Sequence, residues 1–351
     1  MKRTLSLLLT AALALSLLAG CGPKPASNGS SSSTPDVSSS AGTDGSISSA
    51  EPGNSDPVDG PRFMVLSGPT GVGAAKLMTD MDAISSAEVV TDNQEVTNAL
   101  INKDVDIAAI ATNSAAMLYA QSDGAIQVLA VNTLGVLYIL EKGDTVHSMA
   151  DLAGKTLYCP SNTKGANPEH ILNHLLEGSG VDPSEVNIEW LTPQEITAKM
   201  TSSDAGICML PVPAATALMV QDSDVREAVS LSEAWNDLEG SSLPMGCIVA
   251  RTDYIEGNPL EVEAFLSAYE ESIQYMTDPA NLAGAAQLVA DYGIAPNAKV
   301  AEKAIPQCSM VFFSGKTMKT MLESYYEILF QVEPKSIGGG LPYDSFYYGV
   351  D

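Results

Sequence analysis

A chain of 351 residues with 43 acidic against 17 basic side chains carries a formal charge of −26. Such a surface argues against nucleic acid as a partner and against direct adhesion to anionic lipid, but leaves room for an anionic ligand, since local backbone dipoles can outweigh a distant field. With 45% hydrophobic residues, the part beyond the N-terminal segments can bury a sizeable core and has the length of two ordinary domains.

Lys2 and Arg3 form a short basic start, followed by an apolar run over 5–18. That run is shorter than the roughly 20 residues that span a bilayer. It meets Leu18-Ala19-Gly20-Cys21, small residues ahead of a cysteine. This order reads as a bacterial lipoprotein signal, with 1–20 removed and Cys21 acylated. The chain is then expected on the extracytoplasmic face of the bacterial cell membrane, tethered by lipid. Residues 22–61 are mostly Ser, Gly, Pro, Asp and Ala. They cannot bury enough surface to offset the entropy of ordering, so 21–61 is expected to be an acylated, disordered tether.

The first strand is expected over 63–67, ending at Gly68-Pro69-Thr70-Gly71-Val72-Gly73, with a helix to Met81. A short strand follows at 88–91. Asp92-Asn93-Gln94-Glu95 has capping-box spacing and starts a helix to Asn102. Residues 106–111 form a buried-type strand, followed by Thr112-Asn113 and a helix over 114–120. A long apolar strand covers 128–140. This alternation predicts a parallel sheet flanked by helices. A second series runs from Met149, with strands at 155–159, 187–191, 206–210 and 225–231 and helices at 168–177, after Thr192, and up to Val220. Residues 245–250 are strand-like again. Helices are then expected over 259–276, with an apolar stripe of Leu260, Phe265, Leu266, Tyr269, Ile273 and Met276, and over 281–291, 297–304 and 317–330, the last capped by Ser314. The Gly-, Pro- and Tyr-rich tail 334–348 is expected to pack across the surface.

Cys159, Cys208, Cys247 and Cys308 are widely spaced in apolar runs without a C-x-x-C pair. An exported protein permits disulfides, but buried reduced thiols are the simpler reading.

Gly68-Pro69-Thr70-Gly71, Val105-Asp106-Ile107-Ala108 and the Ser148 to Lys155 string Ser-Met-Ala-Asp-Leu-Ala-Gly-Lys resemble solute-binding proteins of ABC importers. The group is that for nitrate, sulfonates, taurine and thiamine-precursor pyrimidines. The resemblance implies an α/β, periplasmic-binding-protein type II fold of two lobes, each a mainly parallel sheet flanked by helices. Lobe one would be 62–144 plus 245–351 and lobe two 145–244, with hinge crossovers near 133–141 and 243–250. It also implies a lipid-anchored, monomeric binding subunit, not an enzyme, without cofactor. Such a subunit captures a small polar, anionic or heterocyclic solute in the interlobe cleft and delivers it to a permease driven by an ATPase. The alternatives are an enzyme on the same fold, related to pyrimidine or menaquinone biosynthesis proteins, and a sensing lipoprotein. The export signal and the lack of an acid/base constellation count against the enzyme.

In open α/β sheets ligands sit beyond the carboxyl ends of the strands. Gly68 to Lys76 fails the Walker pattern, which needs Lys then Ser/Thr after the last Gly. Glycines there still allow close backbone approach, so Ser67, Gly68, Thr70 and Gly71 are candidate ligand contacts. Gly71→Val is expected to block binding without altering stability. Thr112 and Asn113 are candidates as helix caps, ligand contacts or both. Thr133 and Gly135 lie on a crossover. Asn162, Thr163, Ala166 and Asn167 occupy the equivalent loop of lobe two, and Pro211 and Val212 an apolar wall after its later strand. His170 and His174, at i, i+4, lack the Glu of metal-hydrolase motifs and a third ligand. They are expected to be exposed, with no metal and no catalytic residue in the chain. Trp190, Trp235 and Tyr254 are either pocket aromatics or core.

Overall fold

Residues 60–350 are described here in a computed structural model; the signal, Cys21 and nearly all of the tether lie outside the described residues. The first series is β1 (Arg62–Leu66), α1 (Pro69–Ala74), β2 (Ser86–Val90), α2 (Asn93–Asn102), β3 (Ile107–Ala111), α3 (Thr112–Gln121) and β4 (Ile126–Leu134). The second is β5 (Leu137–Lys142), β6 (Thr156–Pro160), α4 (Asn167–Gly178), β7 (Asn187–Leu191), α5 (Pro193–Ser202), β8 (Gly206–Pro211), α6 (Ala214–Gln221), β9 (Val225–Ser230) and α7 (Leu231–Glu239). The chain then returns through β10 (Pro244–Arg251), α8 (Thr252–Gly257), α9 (Pro259–Thr277), α10 (Leu282–Asp291), α11 (Ala298–Ala304), β11 (Met310–Ser314) and α12 (Gly315–Val332).

Two sheets result, ordered β11-β4-β10-β3-β1-β2 and β7-β6-β8-β5-β9. Most strands of each sheet run one way, as expected, but both sheets are mixed. The reason lies in the crossings. β10 returns from the second lobe and inserts antiparallel between β3 and β4. β5 arrives from the first lobe and inserts antiparallel between β8 and β9. β5 therefore belongs to the second sheet, so the strands divide at Gly135-Val136, ahead of the expected boundary at Asp144. The apolar stretch 128–140 is two strands, not one.

Local chemistry accounts for the element ends. Asp92 caps α2 by accepting from Gln94 N, and Lys103 ends it with a left-handed φ of 63°. Thr192 and Glu195 form a reciprocal capping box on α5. The Ser148 to Lys155 string is a structural device that opens the second lobe. Asp151 Oδ2 accepts from His147 N, Ser148 N and Ser148 Oγ, Leu152 is fully buried, and Gly154 turns with φ 73°. Sequence reasoning passed over α7, although Ser230 caps it at Glu233 N, and also α8 and β11.

One face of the first sheet packs on α3 and α12, the other on α1, α9, α10 and α11. The tail crosses the surface as expected but is anchored at points: Ile337 and Phe346 are fully buried, and Tyr348 N donates to Val128 O. Leu260 leaves the expected α9 stripe, being 84% exposed, whereas Phe265, Tyr269 and Met276 are buried. All four described cysteines are buried and unpaired. Burial pushes the Cys159 and Cys308 thiols up to about 12. No helix among the described residues is long and apolar enough to cross a membrane.

Candidate binding site at the junction of the lobes

The carboxyl ends of β1, β3 and β4 face those of β6 and β8 across the junction of the two sheets. Side chains join the lobes there. Tyr325 of α12 donates from its hydroxyl to Asn167 Oδ1 of α4 over 2.8 Å, and the Thr216 hydroxyl of α6 lies 2.8 Å from Gln307 Oε1. Val212, from the loop after β8, is fully buried in the same apolar cluster as Phe63, Val65 and Ile294 of the first lobe.

On the first lobe the site rests on a β-bulge. Gly246 of β10 lies opposite Thr133, but the next residue, Cys247, lies opposite Val131. Asn132 is the extra residue, and a bulge at a strand end re-aims side chains. Asn132 Nδ2 donates to Tyr269 Oη at 2.7 Å. The Tyr269 hydroxyl points its own hydrogen at Thr70 O, 3.4 Å away, and Thr70 Oγ1 donates to Leu66 O at 2.7 Å. Gly246 has to be glycine here, because a Cβ would press on Thr70 Cγ2 and lie 2.6 Å from Asn132 Oδ1.

Six side-chain atoms among the described residues are buried without a hydrogen-bond partner; three of them, Asn132 Oδ1, Thr133 Oγ1 and Asn167 Nδ2, belong to elements that meet at this junction, and Asn93 Oδ1, Arg251 Nε and Ser336 Oγ lie elsewhere. Asn132, Thr133 and Asn167 are 1%, 2% and 3% exposed. Buried polar atoms are nearly always paired, so each of these calls for an explanation.

The remaining expected residues are distributed as follows. Ser67 and Gly68 are half-buried, and Gly68 has a φ of 105°. Thr70 and Gly71 are buried. A Cβ on Gly71 would lie 3.2 Å from both Ile294 Cδ1 and Leu66 O. Its smallness thus serves the packing of α1 on the turn after α10, and valine there would disturb the core, contrary to the expectation of unchanged stability. Gly135 is held small by Ser232 of α7, which a Cβ would strike. Neither Thr112 nor Asn113 caps α3. Thr112 Oγ1 donates to Pro244 O, Asn113 Nδ2 to Ser336 O, and the Tyr326 hydroxyl to Thr112 O. Asn162 is exposed and Ala166 half-buried, and the Thr163 hydroxyl closes a turn onto Pro160 O. Pro211 is half-buried.

Asn132, Tyr269, Tyr325, Thr216 and Gln307 were not anticipated. Only Asn132 left a trace in the sequence, as an amide inside an apolar strand. His174 is not exposed as expected: it lies 2.7 Å from Glu239 and tilts against Trp235, ring centroids 5.4 Å apart, tying α4 to α7. Trp235 and Tyr254 are buried in the core and Trp190 lies beneath Lys164, so none joins the cluster. A cavity of about 670 Å³ opens beside the junction between α4, α7 and α12. The described residues hold no group of three or more side chains suited to a metal ion.

A family described as NMT1/THI5 like matches residues 124–281, from the start of β4 to the end of α9. No curated protein matches the sequence. Several solved structures share the fold. An ABC transporter protein from Parabacteroides distasonis is 22% identical with a TM-score of 0.68, over 83% of this chain and 99% of that one. The periplasmic aliphatic sulphonate binding protein SsuA of Escherichia coli is 16% identical with a TM-score of 0.65, over 83% and 92%. The ligand-binding component of an ABC-type import system from Staphylococcus aureus is 15% identical with a TM-score of 0.59, over 82% and 95%.

Proposed function

We propose that this chain is the extracytoplasmic solute-binding subunit of an ABC importer, which holds a small solute between its lobes and passes it to a permease powered by an ATPase. The observation that carries this reading is the set of buried, unpartnered polar atoms at the ends of both sheets, where the chain crosses only at Gly135-Val136 and around Leu243. The fold shared with binding components of import systems and the match to the NMT1/THI5-like family support it. The groups gathered there are hydroxyls and amides, which bind and orient but supply no acid/base pair, and this favours a carrier over an enzyme. Acylation of Cys21 would hold a monomer at the membrane; labelled fatty acid entering the wild type but not Cys21→Ala tests that anchor.

Two lobes on two crossings close on a solute because only the closed form touches it from both sides. A solute that binds the folded state at 100 times its Kd adds about 2.7 kcal/mol of stability, enough to find one by thermal shift on residues 62–351. Small-angle scattering at saturation should then give a smaller radius of gyration than the free protein. An unchanged radius would count against closure about these crossings.

A further inference from the structure

The first crossing between the lobes narrows to one residue. Leu134 N donates to Ser309 O of the first lobe at 3.0 Å, and Val212 N of the second lobe donates to Val136 O at 3.1 Å. Gly135 lies buried between them, with each neighbour tied to a different lobe. Hinge motion concentrates its change of φ and ψ in a few residues between elements, and at this crossing the change falls on Gly135. Its φ lies outside the left-handed region, so conformation alone does not demand glycine. Contact does. A Cβ would strike Ser232 Oγ and lie 3.1 Å from both Ser232 Cβ and Leu243 Cδ2.

Both contacts come from α7 and its continuation. Ser232 stands in the first turn of α7, and past Glu239 the chain runs through Gly240 and Ser241 to Leu243, the second crossing. Trp235, one turn after Ser232, donates from Nε1 to Ser241 Oγ at 3.4 Å. Its ring packs on Tyr325 of the first lobe, centroids 5.7 Å apart. α7 thus bears on the first crossing at one end, becomes the second at the other, and touches the first lobe in between. A cavity of about 480 Å³ lies alongside, walled by Leu134, Asn236, Ser242 and Leu243. It leaves the helix room to shift where both crossings meet it.

Resting on the reading of two lobes that close on a solute, we infer that α7 is the strut of the hinge. Ser232 bears on Gly135 and sets the angle between the lobes, and Gly135 is the pivot on which the strut seats. Both are positioning residues for solute capture, acting through lobe angle.

The test reads the distance between lobes by double electron–electron resonance. Spin labels go on Asp82→Cys and Asp204→Cys, exposed positions of the first and second lobe. The full chain also carries Cys21→Ala, and the four described native cysteines are buried. Gly135→Ala should push α7 off the crossing and shift the distance distribution away from that of the wild type. Ser232→Gly withdraws the strut and should broaden the distribution. Together the two substitutions place a methyl where the serine side chain stood and should restore the wild-type distribution, a coupling that two unrelated losses of stability would not produce. A wild-type distribution in Gly135→Ala overturns the inference, as does a shift that Ser232→Gly leaves in place. If Gly135→Ala does not fold, Ser232→Gly alone decides: broadening sustains the strut, and an unchanged distribution overturns it. Stabilisation and compaction by a solute test the carrier reading on the wild type, so the two can fail separately.

Discussion

Asp106 joins three strand ends on the side of the first sheet away from the candidate site. Its carboxylate accepts from Arg62 N, Nε and Nη2 at 3.0, 2.9 and 2.7 Å and from Arg251 Nη2 at 2.9 Å. Burial alone would raise its pKa, but the hydrogen bonds and charge of the two arginines outweigh it and hold it below the ordinary 3.8. Glu141 behaves alike. Burial is outweighed by bonds from Thr145, Val146 and Arg226, and the group sits below its ordinary 4.5. A carboxylate whose folded pKa is lowered contributes stability above its unfolded pKa and loses it as pH falls through the folded one. The melting temperature should therefore drop as pH falls below about 4.5 and further below about 3.8. Asp106→Asn should cost about 3 kcal/mol at neutral pH, since it strands Arg251 at 12% side-chain exposure, and should flatten the acid limb. Wild-type melting in that variant at pH 7 would dismiss this clip. At this scale Thr133 was expected from its place on a crossover and Asn167 from the loop after β6, and the fold buries both. Asn132 shows in the sequence only as an amide inside an apolar strand, and its partner Tyr269 lies 137 residues away, where no local pattern reaches.

Elements with a chemical start signal were the most legible. Asp92 and Thr192 cap the helices they were expected to cap. α7 carries the same spacing in Ser230 and Glu233 and was overlooked, its window having been assigned in part to a strand. β11 has no local signal: Met310 to Ser314 becomes a strand only because the edge of β4 is there to pair with it. The tail is anchored for a related reason. Its Gly- and Pro-rich composition suggested surface, which it crosses, but Phe346 is fully buried and packs on Tyr119 and Tyr326, ring centroids 4.9 and 6.2 Å away. Phe346→Ala should cost about 3–5 kcal/mol, measurable by urea denaturation. A loss under 1 kcal/mol would show that Phe346 does not anchor the tail.

At the scale of the whole molecule, α12 belongs to the first lobe yet reaches the second. Tyr325 is buried, bonds to Asn167 at 2.8 Å, and packs on Trp235 with centroids 5.7 Å apart. Tyr325→Phe keeps the ring and removes the bond between lobes, worth about 1 kcal/mol. It should shift the lobes toward separation severalfold and raise the radius of gyration of the free protein in scattering. An unchanged radius with lowered stability would make the bond a core contact only.

The sequence by itself determined the alternation of strands and helices, the caps and the two-lobed α/β class, and it pointed to solute binding. Each of these is written in local periodicity, capping chemistry or short strings that a few neighbouring residues carry. The tertiary structure alone decided that β5 and β10 exchange between the sheets, that Ile337 and Phe346 anchor the tail in the core, and that Asn132, Thr133 and Asn167 are buried with unpartnered atoms. These depend on pairings such as Gly246 with Thr133 and Tyr325 with Asn167, between residues more than a hundred positions apart, and no local pattern records them.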